Sequence, residues 1–539
     1  MNTYFALTIG PIYKTLSQAQ RTREFWGGSY MFSWIMREII RGMIIQNVFT
    51  PDDILMPYRK KHKNEKVGTG LYHDHMIAKI STGKNEQVLA DFKKVTNDVL
   101  GIIAEHSKIE LLVLRSYVRL NAVIFDLEQG QNIVETVTNY LDSLELQNPI
   151  FHNSWQLDWS DAIDNLNGRL FYKDAFTKGD HPDFVFDSIP EISSRGLRKA
   201  NDKEYDQLVK TYITDQFLNK KRLPKNIESE IQDNFITQLS RSDLLKDAFR
   251  NYHKYIAIVH ADGDNFGKTI TTIGNLSNDV KNLSSLLFGF ATDAANEIKD
   301  YGGTNVYAGG DDLLFFAPVA TINAKGEQTI FDLINTLDTH FKATVSDKLI
   351  KISEADRPTL SWGVSISYYK FPLSEAIVTS RQLLFDKAKS YEGKNAVAFQ
   401  VTKHSGQSFG VTFGKGKTDY KVHFKKMLEK AFDPDADFIS SLQYQISGNE
   451  TLLREIFNDN DYPKKVENFF DNFFDEEIHS SKKDFVHSVR DMLIQAFNDT
   501  ALSSKVAKKK AHEERVKTAI DKTYSALRFI HFLNSKSDE

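Results

Sequence analysis

The chain has 539 residues, which is too long for one hydrophobic core, so about two to four domains are expected. A hydrophobic fraction of 41% and a charged fraction of 26% are typical of a globular protein, and no run approaches the roughly 18 apolar residues of a transmembrane helix. The absence of cysteine excludes disulfides and thiolate zinc sites, and the net charge of −4 gives no overall attraction for nucleic acid. The first residues read as a strand and not as a signal peptide, so a cytoplasmic protein is expected.

The first part of the chain begins with a strand–helix pattern. A strand is predicted at 5–9, a Gly-rich interruption at 27–30, and apolar residues at helical spacing follow over 31–43. Further on, the pattern predicts helices at 88–104 and 133–146, with a strand between them at 115–125.

Four segments up to residue 250 carry possible function or connect the lobes. The basic loop at 58–66 is interpreted as a solvated tip, with nucleic-acid contact as the alternative. In Tyr72-His-Asp-His75, two histidines without further ligands favour ordinary polar residues over a metal site. A metal-phosphohydrolase reading is rejected because such a domain needs several more His and Asp ligands. Residues 176–204 are expected to be a loop, and 216–250 a polar helical bridge.

The second lobe shows a regular alternation of strands and helices from residue 254. The predicted order is β-α-β-β-α-β with an additional helix and strand, which is a ferredoxin-like sheet with helices on one face. The segments are strand 254–261, helix 279–299, hairpin 304–317, helix 327–349, strand 359–367, helix 373–390 and strand 396–402.

After residue 417 the predicted strands disappear and amphipathic helices dominate. We expect this tail to pack against a neighbouring domain or another subunit. Four phenylalanines at helical spacing are interpreted as core and not as a ligand stack: Phe469, Phe470, Phe473 and Phe474.

Two acidic motifs follow apolar strands in the second lobe. Gly309-Gly-Asp-Asp312 forms the turn of the predicted hairpin, and Asp262-Gly-Asp264 ends the strand before it. Each motif alone is commonly a polar turn, but both together, in this order, favour a catalytic site. Oxygen ligands without Cys or His favour Mg²⁺ or Mn²⁺, and paired ions would activate a hydroxyl and stabilise leaving pyrophosphate.

With these motifs, the sequence resembles the large polymerase-palm subunit of type III CRISPR–Cas effector complexes, of the Cmr subtype. The resemblance is carried by segments 9–16, 19–30, 261–268, 308–312 and 388–395. It implies an α+β fold with two palm-like, ferredoxin-like lobes that hold ATP between them. It also implies partners: the other subunits of the complex, including a small helical subunit, with guide RNA and target RNA and no membrane. The first palm-like domain is expected at 1–175, followed by a linking, largely helical region at 176–250. The second palm domain with the GGDD hairpin is expected at 251–416, and a C-terminal helical domain at 417–539.

The sequence departs from the resembled family in two respects. Many members begin with a His-Asp nuclease domain, whereas this chain starts directly at the first palm, so no HD-type DNase activity is expected. Many also carry a Cys-rich zinc insertion, and without cysteine no zinc is expected.

The expected catalytic residues are Asp262, Asp311 and Asp312, which would also bind the metal together with the Gly263 carbonyl. Asp264 or Asn265 could cap the following helix and not bind the nucleotide. Lys268 and Lys394 could be exposed lysines without a role in binding. The contact of Ser29 and Tyr30 with a second nucleotide rests mainly on the resemblance. The expected nucleotide-binding residues are Ser29, Tyr30, Asp264, Asn265, Phe266, Gly267, Lys268, Gly309, Gly310 and Lys394.

The expected reaction is adenylyl transfer from ATP with release of pyrophosphate, activated by target RNA. The acceptor would be another ATP, giving cyclic oligoadenylate, or S-adenosylmethionine, giving a conjugate with AMP. Three alternatives stay open: a diguanylate-cyclase-like enzyme, a template-directed polymerase and a catalytically silent scaffold subunit. The acidic set argues against the scaffold, since a scaffold has no need for clustered carboxylates.

Overall fold

A computed structural model describes most of the chain. The described residues are 2–57, 68–128, 130–146, 159–176, 186–217, 223–274, 276–323, 326–432, 436–473, 482–499 and 508–536. The predicted basic loop at 58–66 lies outside them. Within these ranges, no helix combines the length and the apolar character needed to cross a membrane.

The first lobe is built on a four-stranded antiparallel sheet with the strand order β2-β3-β1-β4. Its strands are β1 (Asn2–Gly10), β2 (Ile54–Met56), β3 (His75–Ile80) and β4 (Arg119–Leu127). Its helices are α1 (Ile12–Leu16), α2 (Thr22–Ile45), α3 (Asn85–Ser107), α4 (Leu111–Tyr117), α5 (Ile133–Glu145), α6 (Trp159–Leu166) and α7 (Tyr172–Ala175). Because α2 and α3 connect the strands in the order β-α-β-β-α-β, the lobe has the expected ferredoxin-like topology.

Two local predictions for this lobe are wrong. The Gly-rich interruption at 27–30 does not exist, because α2 runs unbroken from Thr22 to Ile45. Gly27 instead lets α6 approach closely, since a Cβ there would lie 2.5 Å from the Ile163 side chain. The strand expected at 115–125 begins only at Arg119, since α4 occupies the preceding residues.

The linking region is helical in its described part and has its own hydrophobic cluster. Its helices are α8 (Ile189–Ser194), α9 (Asp202–Val209), α10 (Asp215–Phe217) and α11 (Lys225–Arg241). Leu197, Tyr205 and Phe235 are buried together in this cluster. The loop expected at 176–204 is wrong at α8, where Ser188 and Glu191 form a capping box that starts the helix.

The second lobe contains a six-stranded sheet with the order β12-β11-β10-β5-β7-β6. All neighbouring strands are antiparallel except β10 and β11, which are parallel because a helix connects them. The strands are β5 (Tyr255–Asp264), β6 (Thr304–Gly309), β7 (Asp312–Pro318), the separate hairpin β8 (Ala320–Asn323) and β9 (Gly326–Thr329), β10 (Thr359–Tyr368), β11 (Ala396–Thr402) and β12 (Ser408–Gly414). The helices are α12 (Phe266–Ile273), α13 (Ser277–Tyr301), α14 (Ile330–Thr344) and α15 (Leu373–Gln382).

Both faces of this sheet are covered, whereas the sequence predicted helices on one face only. Along β5, Ala257 and Val259 join the core under α13 and α14. The alternate residues Ile256 and Ile258 pack on the other face, against α15 and the first lobe. There, Phe25 of α2 meets Phe316 edge-on with ring centroids 6.2 Å apart. The two lobes therefore share a packed apolar interface.

The C-terminal helices continue the core of the second lobe. They are α16 (Lys425–Glu429), α17 (Ala436–Gly448), α18 (Glu450–Phe457), α19 (Tyr462–Phe473), α20 (Lys483–Asp499) and α21 (Lys508–Asn534). Phe529 of α21 packs on Phe331 of α14 at 5.2 Å between ring centroids. Close by, Lys522 makes a buried ion pair with Asp419, with Nζ 2.6 Å from Oδ2.

The predicted phenylalanine core of this tail is confirmed in part. Phe469 and Phe470 are buried, whereas Phe473 remains 37% exposed. Phe474 lies outside the described residues.

The close packing of α15 on the sheet gives the first prediction. A Cβ on Gly363 of β10 would lie 2.2 Å from the Ser380 carbonyl oxygen. Gly363→Ala should therefore lower the free energy of unfolding by about 1–3 kcal/mol. Gly289 of α13 is the matched control, because a Cβ there meets nothing within 4 Å. Gly289→Ala should stabilise by about 0.5–1 kcal/mol. Urea unfolding measures both, and shifts of the same sign would contradict this packing.

Candidate functional site

The candidate site lies where β5 and β7 end side by side. The register pairs Ala261 with Leu313, so the next residues outward are Asp262 and Asp312. Asp312 in turn pairs with Gly309 of β6, which leaves only Gly310 and Asp311 in the turn. The hairpin with acidic residues at its turn is therefore present as predicted.

Only one of the two turn glycines has the expected backbone conformation. Gly310 has a φ of +68°, in the left-handed region that favours glycine. Gly309 has no positive φ, which corrects the expectation that both glycines supply it. Its need for a small side chain comes from Tyr307, whose hydroxyl would lie 2.1 Å from a Cβ at Gly309.

Three carboxylates converge at this point of the sheet. One oxygen each from Asp262, Asp311 and Asp312 lies within 4.8 Å of the others. Asp262 and Asp311 are half-buried, and Asp312 is exposed. Such an all-oxygen set fits a hard divalent cation such as Mg²⁺ or Mn²⁺.

The glycine between Asp262 and Asp264 is required by the approach of Asp311. A Cβ on Gly263 would lie 2.3 Å from the Asp311 Oδ2 atom and equally close to the Phe266 ring. The Gly263 N–H also donates a hydrogen bond to the Asp311 carboxylate. The Asp-Gly-Asp motif is therefore the sequence signal of this close contact.

The crowding of carboxylates changes their acidity. Burial, followed by the charges of Asp74 and Asp264, raises the pKa of Asp311 to about 6, although hydrogen bonds to its backbone and to Gly263 oppose the shift. Asp312 keeps contact with solvent, but desolvation by the residues around it and the charges of Asp311 and Asp74 raise its pKa above the ordinary value. Such a cluster gains stability when a cation binds, which supports the fit of a divalent ion.

Lys389 also reaches this site, although the sequence did not single it out. Its Nζ atom makes an ion pair with Asp262 and donates a hydrogen bond of 2.7 Å to the Gly263 carbonyl oxygen. Both acceptors belong to the predicted metal ligands. The signal in the sequence is the position of Lys389 within the segment 388–395, of which only Lys394 is predicted to bind the nucleotide.

The first lobe contributes a further carboxylate that the sequence had not assigned to the site. Ala308 donates a backbone hydrogen bond of 3.3 Å to Gly70, which holds the loop before β3 against β6. This places Asp74 near enough for its charge to raise the pKa values of Asp311 and Asp312. The prediction of ordinary polar residues at 72–75 therefore missed a contact between the lobes.

Asp74 itself is held by a histidine. His75 Nδ1 lies 2.8 Å from Asp74 Oδ1. Burial raises the pKa of Asp74, but the hydrogen bond and charge of His75 outweigh it, so the net shift is downward. Burial also lowers the pKa of the adjacent His73 to about 4. Near neutral pH, His73 is therefore neutral and Asp74 is negatively charged.

Asp264 is placed differently from its prediction. It is fully buried and accepts hydrogen bonds from Thr359 (2.9 Å), Ser361 (2.8 Å) and the Asn395 backbone N–H (3.0 Å). Its carboxylate therefore ties β5 to β10 and leaves no surface for a nucleotide. It does not cap α12 either, because Asn265 occupies that position, with a φ of +63° and no capping hydrogen bond from its side chain.

The other residues predicted around α12 lie near the site in varied surroundings. Lys268 is largely exposed and pairs with Asp356 at 2.9 Å between Nζ and Oδ1. The Phe266 ring packs edge-on against Phe341, and Gly267 is exposed. Lys394 is exposed, with a φ of +53°. Nucleotide binding by this group stays a prediction.

Ser29 and Tyr30 are buried inside α2, with only 3% and 5% of their surfaces exposed. The Tyr30 hydroxyl donates a hydrogen bond of 2.6 Å to Asp174, and its ring stacks on Trp26. Burial also raises the pKa of Tyr30. The predicted contact of these two side chains with a nucleotide is thereby corrected, because it assumed an exposed Gly-rich break.

Comparison with known families agrees with this arrangement. Residues 255–398 match the model of the second palm domain of Cas10/Cmr2, and residues 4–105 match that of the N-terminal region of the CRISPR-associated protein Cmr2. A curated relative, the CRISPR system Cmr subunit Cmr2 of Pyrococcus furiosus, is 25% identical over 279 residues. That alignment covers 47% of this chain and 28% of the relative, so the chain spans well under half the length of the relative it matches.

Solved structures show the same fold at low sequence identity. A Csm1-Csm4 cassette in complex with pppApA has a TM-score of 0.51 and 10% identity, covering 99% of this chain and 69% of that chain. The cassette in complex with AMPPNP has a TM-score of 0.50 and 11% identity, covering 99% of this chain and 69% of that chain. The Csm1-Csm4 subcomplex of the type III-A CRISPR-Csm interference complex has a TM-score of 0.51 and 12% identity, covering 99% of this chain and 70% of that chain.

The chain combines a palm-type sheet with carboxylates at the turn of its GGDD hairpin. Over residues 4–105 and 255–398 it is similar to the Cas10/Cmr2 large subunits of type III CRISPR systems.

The raised pKa of Asp311 predicts that metal binding depends on pH. At pH 5 this carboxyl, with a pKa of about 6, holds a proton that a divalent cation must displace. Mn²⁺ affinity, measured by calorimetry, should therefore fall about tenfold or more between pH 7 and pH 5. Asp311→Asn should weaken binding and remove most of this dependence. An affinity that is constant across this range would contradict the assignment.

The different surroundings of Asp264 and Asp312 predict opposite effects on stability. Asp264→Ala leaves the groups that contact it without partners, so it should lower the free energy of unfolding by about 2–4 kcal/mol. Asp312→Ala removes a repelled charge and should leave the metal-free protein at least as stable. Thermal unfolding in EDTA at pH 7.5 compares the two variants. Equal destabilisation by both would show that Asp312 also has a structural role.

Proposed function

We propose that this chain is an ATP-dependent nucleotidyltransferase, the large subunit of a type III effector complex that responds to target RNA. The observation that carries the proposal is the convergence of Asp262, Asp311 and Asp312 within 4.8 Å at the ends of two paired strands. The match of residues 255–398 to the second palm domain of Cas10/Cmr2 supports it. Clustered carboxylates with raised pKa values are costly for a purely structural sheet, which argues against a silent scaffold.

The proposed reaction is attack of a ribose hydroxyl on the α-phosphate of ATP, with release of pyrophosphate. Divalent cations held by the three aspartates and the Gly263 carbonyl would lower the pKa of the hydroxyl and neutralise charge on the leaving group. The residues of the chain position the substrates and need no covalent intermediate. Lys389 adds a positive charge beside Asp262 that suits a triphosphate.

We propose that the two lobes hold the nucleotide between them. The second lobe supplies the three aspartates, and the first lobe brings Asp74, with its partner His75, to the same region. An acceptor on the side of the first lobe would then face the α-phosphate. The Csm1-Csm4 cassettes with pppApA and AMPPNP have this fold with nucleotides bound, which supports the proposal.

Two acceptors are compatible with the same attack. With a second ATP as acceptor, the product is an oligoadenylate that can close into a ring. With S-adenosylmethionine as acceptor, the product is its conjugate with AMP. The mass of the product formed with and without S-adenosylmethionine distinguishes them, and a parallel reaction with GTP tests the diguanylate-cyclase-like alternative.

The proposed partners are the other subunits of the complex, guide RNA and target RNA. A fold like that of Csm1 in the type III-A interference complex supports this assembly. The small helical subunit would dock on the C-terminal helices α16 to α21.

Loss of the two turn carboxylates tests the proposed activity. In the purified effector complex with target RNA, Asp311→Ala/Asp312→Ala should reduce product from labelled ATP at least about hundredfold. Assembly, followed by size-exclusion chromatography, should not change. Asp243→Ala/Asp247→Ala removes two exposed carboxylates from the linking region and should keep full activity. Undiminished synthesis by the Asp311/Asp312 variant would end the proposal.

A further inference from the structure

A pocket lies at the end of the palm sheet away from the carboxylate site, between the turn that joins β11 to β12 and the C-terminal helices. Its volume is about 460 Å³, within the usual range of sites for small ligands. Asn251, Phe409, Gln443 and Arg528 are among its lining residues. It is built jointly by the strands of the second lobe and by α17 and α21.

The lining of this pocket is positively charged, in a chain whose net charge is −4. Lys403, Arg528 and His531 contribute to its walls. Among the described residues that line it, none is Asp or Glu. The local charge therefore favours an anionic ligand and disfavours a free metal cation.

Arg528 is prepared to bind an anion. Its guanidinium lies over the Phe409 ring at 4.3 Å from the centroid and 5.8 Å from that of Tyr524. In the part of the chain that the structure describes, Arg528 makes no hydrogen bond or ion pair with another side chain or the backbone. Stacking fixes the plane of the guanidinium, so its N–H fork can meet a phosphate with little loss of conformational freedom.

Asn251 gives the lining a polar group suited to a base or a ribose. Asn251 is 4% exposed, and its Oδ1 atom is buried without a hydrogen-bond partner among the described residues. The Asn251 backbone N–H donates to Ser535 at 3.0 Å, which fixes this residue at the wall. A ligand with an N–H or O–H group beside its anion would satisfy the Asn251 carbonyl.

This pocket is separate from the carboxylate site. Tyr255, at the start of β5, contacts its wall through Phe532 (4.8 Å between ring centroids) and accepts a hydrogen bond from the His404 N–H. Asp262 lies seven residues further along the same strand, about 23 Å away at roughly 3.3 Å per residue. A ligand in this pocket therefore cannot reach the reacting groups.

We propose that this pocket binds a nucleoside phosphate, with the phosphate on Arg528 and Lys403 and the polar part of the nucleoside at Asn251. The nucleoside phosphate is either a free nucleotide or one residue of a single-stranded RNA. Binding needs no divalent metal, since the phosphate is held by the side chains themselves. This proposal does not depend on the activity proposed for the carboxylate site.

The test measures binding to the full-length chain in EDTA, which removes metal-dependent binding at the carboxylates. The probes are ATP, by calorimetry, and a labelled ten-nucleotide single-stranded RNA, by fluorescence anisotropy. Arg528→Ala should weaken binding about tenfold or more, and Arg528→Lys should give an intermediate loss. Lys403→Ala, on the surface turn, is a second variant in case Arg528→Ala does not fold, which circular dichroism checks.

Arg454→Ala is the matched control, since it removes one arginine from the exposed face of α18, where Arg454 pairs with Glu450. It should leave both affinities unchanged. Binding of ATP alone identifies a free nucleotide, and binding of the RNA alone identifies a strand. The proposal is overturned if neither probe binds, or if Arg528→Ala and Arg454→Ala bind as the unaltered chain does.

Discussion

The pairing of β5 with β7 is the constraint on which the site depends. Once Ala261 faces Leu313, Asp262 and Asp312 must end side by side, and the two-residue turn adds Asp311 to them. Burial, together with the charges of nearby carboxylates, raises the pKa values of Asp311 and Asp312, so ionising them costs free energy in the metal-free fold. Burial of both faces of the sheet offsets this cost, because apolar residues of β5 are covered on either side.

The same packing explains why the first lobe takes part in the site. Phe25 meets Phe316 on one face of the palm sheet, and Gly70 accepts a backbone hydrogen bond from Ala308 at its edge. These contacts fix the loop before β3 beside the GGDD turn. Asp74 then faces the carboxylate cluster, so the electrostatics of the candidate site belong to both lobes.

Local patterns in the sequence were sufficient for the strand and helix order of the second lobe and for the three converging aspartates, whereas the ferredoxin-like first lobe was expected from the family resemblance. Asp262 directly follows an apolar strand and Asp311 follows the Gly-Gly turn of a hairpin, and both signals are local. The predictions that proved wrong concern residues whose surroundings are set by contacts distant in the chain. Gly27 looked like a helix break because the helix that packs on it lies beyond residue 158, and Asp74 gains its importance only when the lobes meet. Asp264 was expected to bind nucleotide or to cap the following helix, but it is buried and hydrogen-bonded to Thr359 and Ser361, which lie about a hundred residues further along the chain.

The ion pair between Asp419 and Lys522 has a consequence for truncating mutations in the gene. Lys522 lies in the middle of α21, whereas Asp419 follows β12 of the palm sheet, and both are almost completely buried. A premature stop codon before Lys522 would leave the Asp419 carboxylate buried without its partner, which would lower the free energy of unfolding by about 3–5 kcal/mol. It would also remove Phe529, which packs on Phe331. Such an allele would unfold the palm itself, and would therefore behave as a null rather than as a protein that has merely lost its tail.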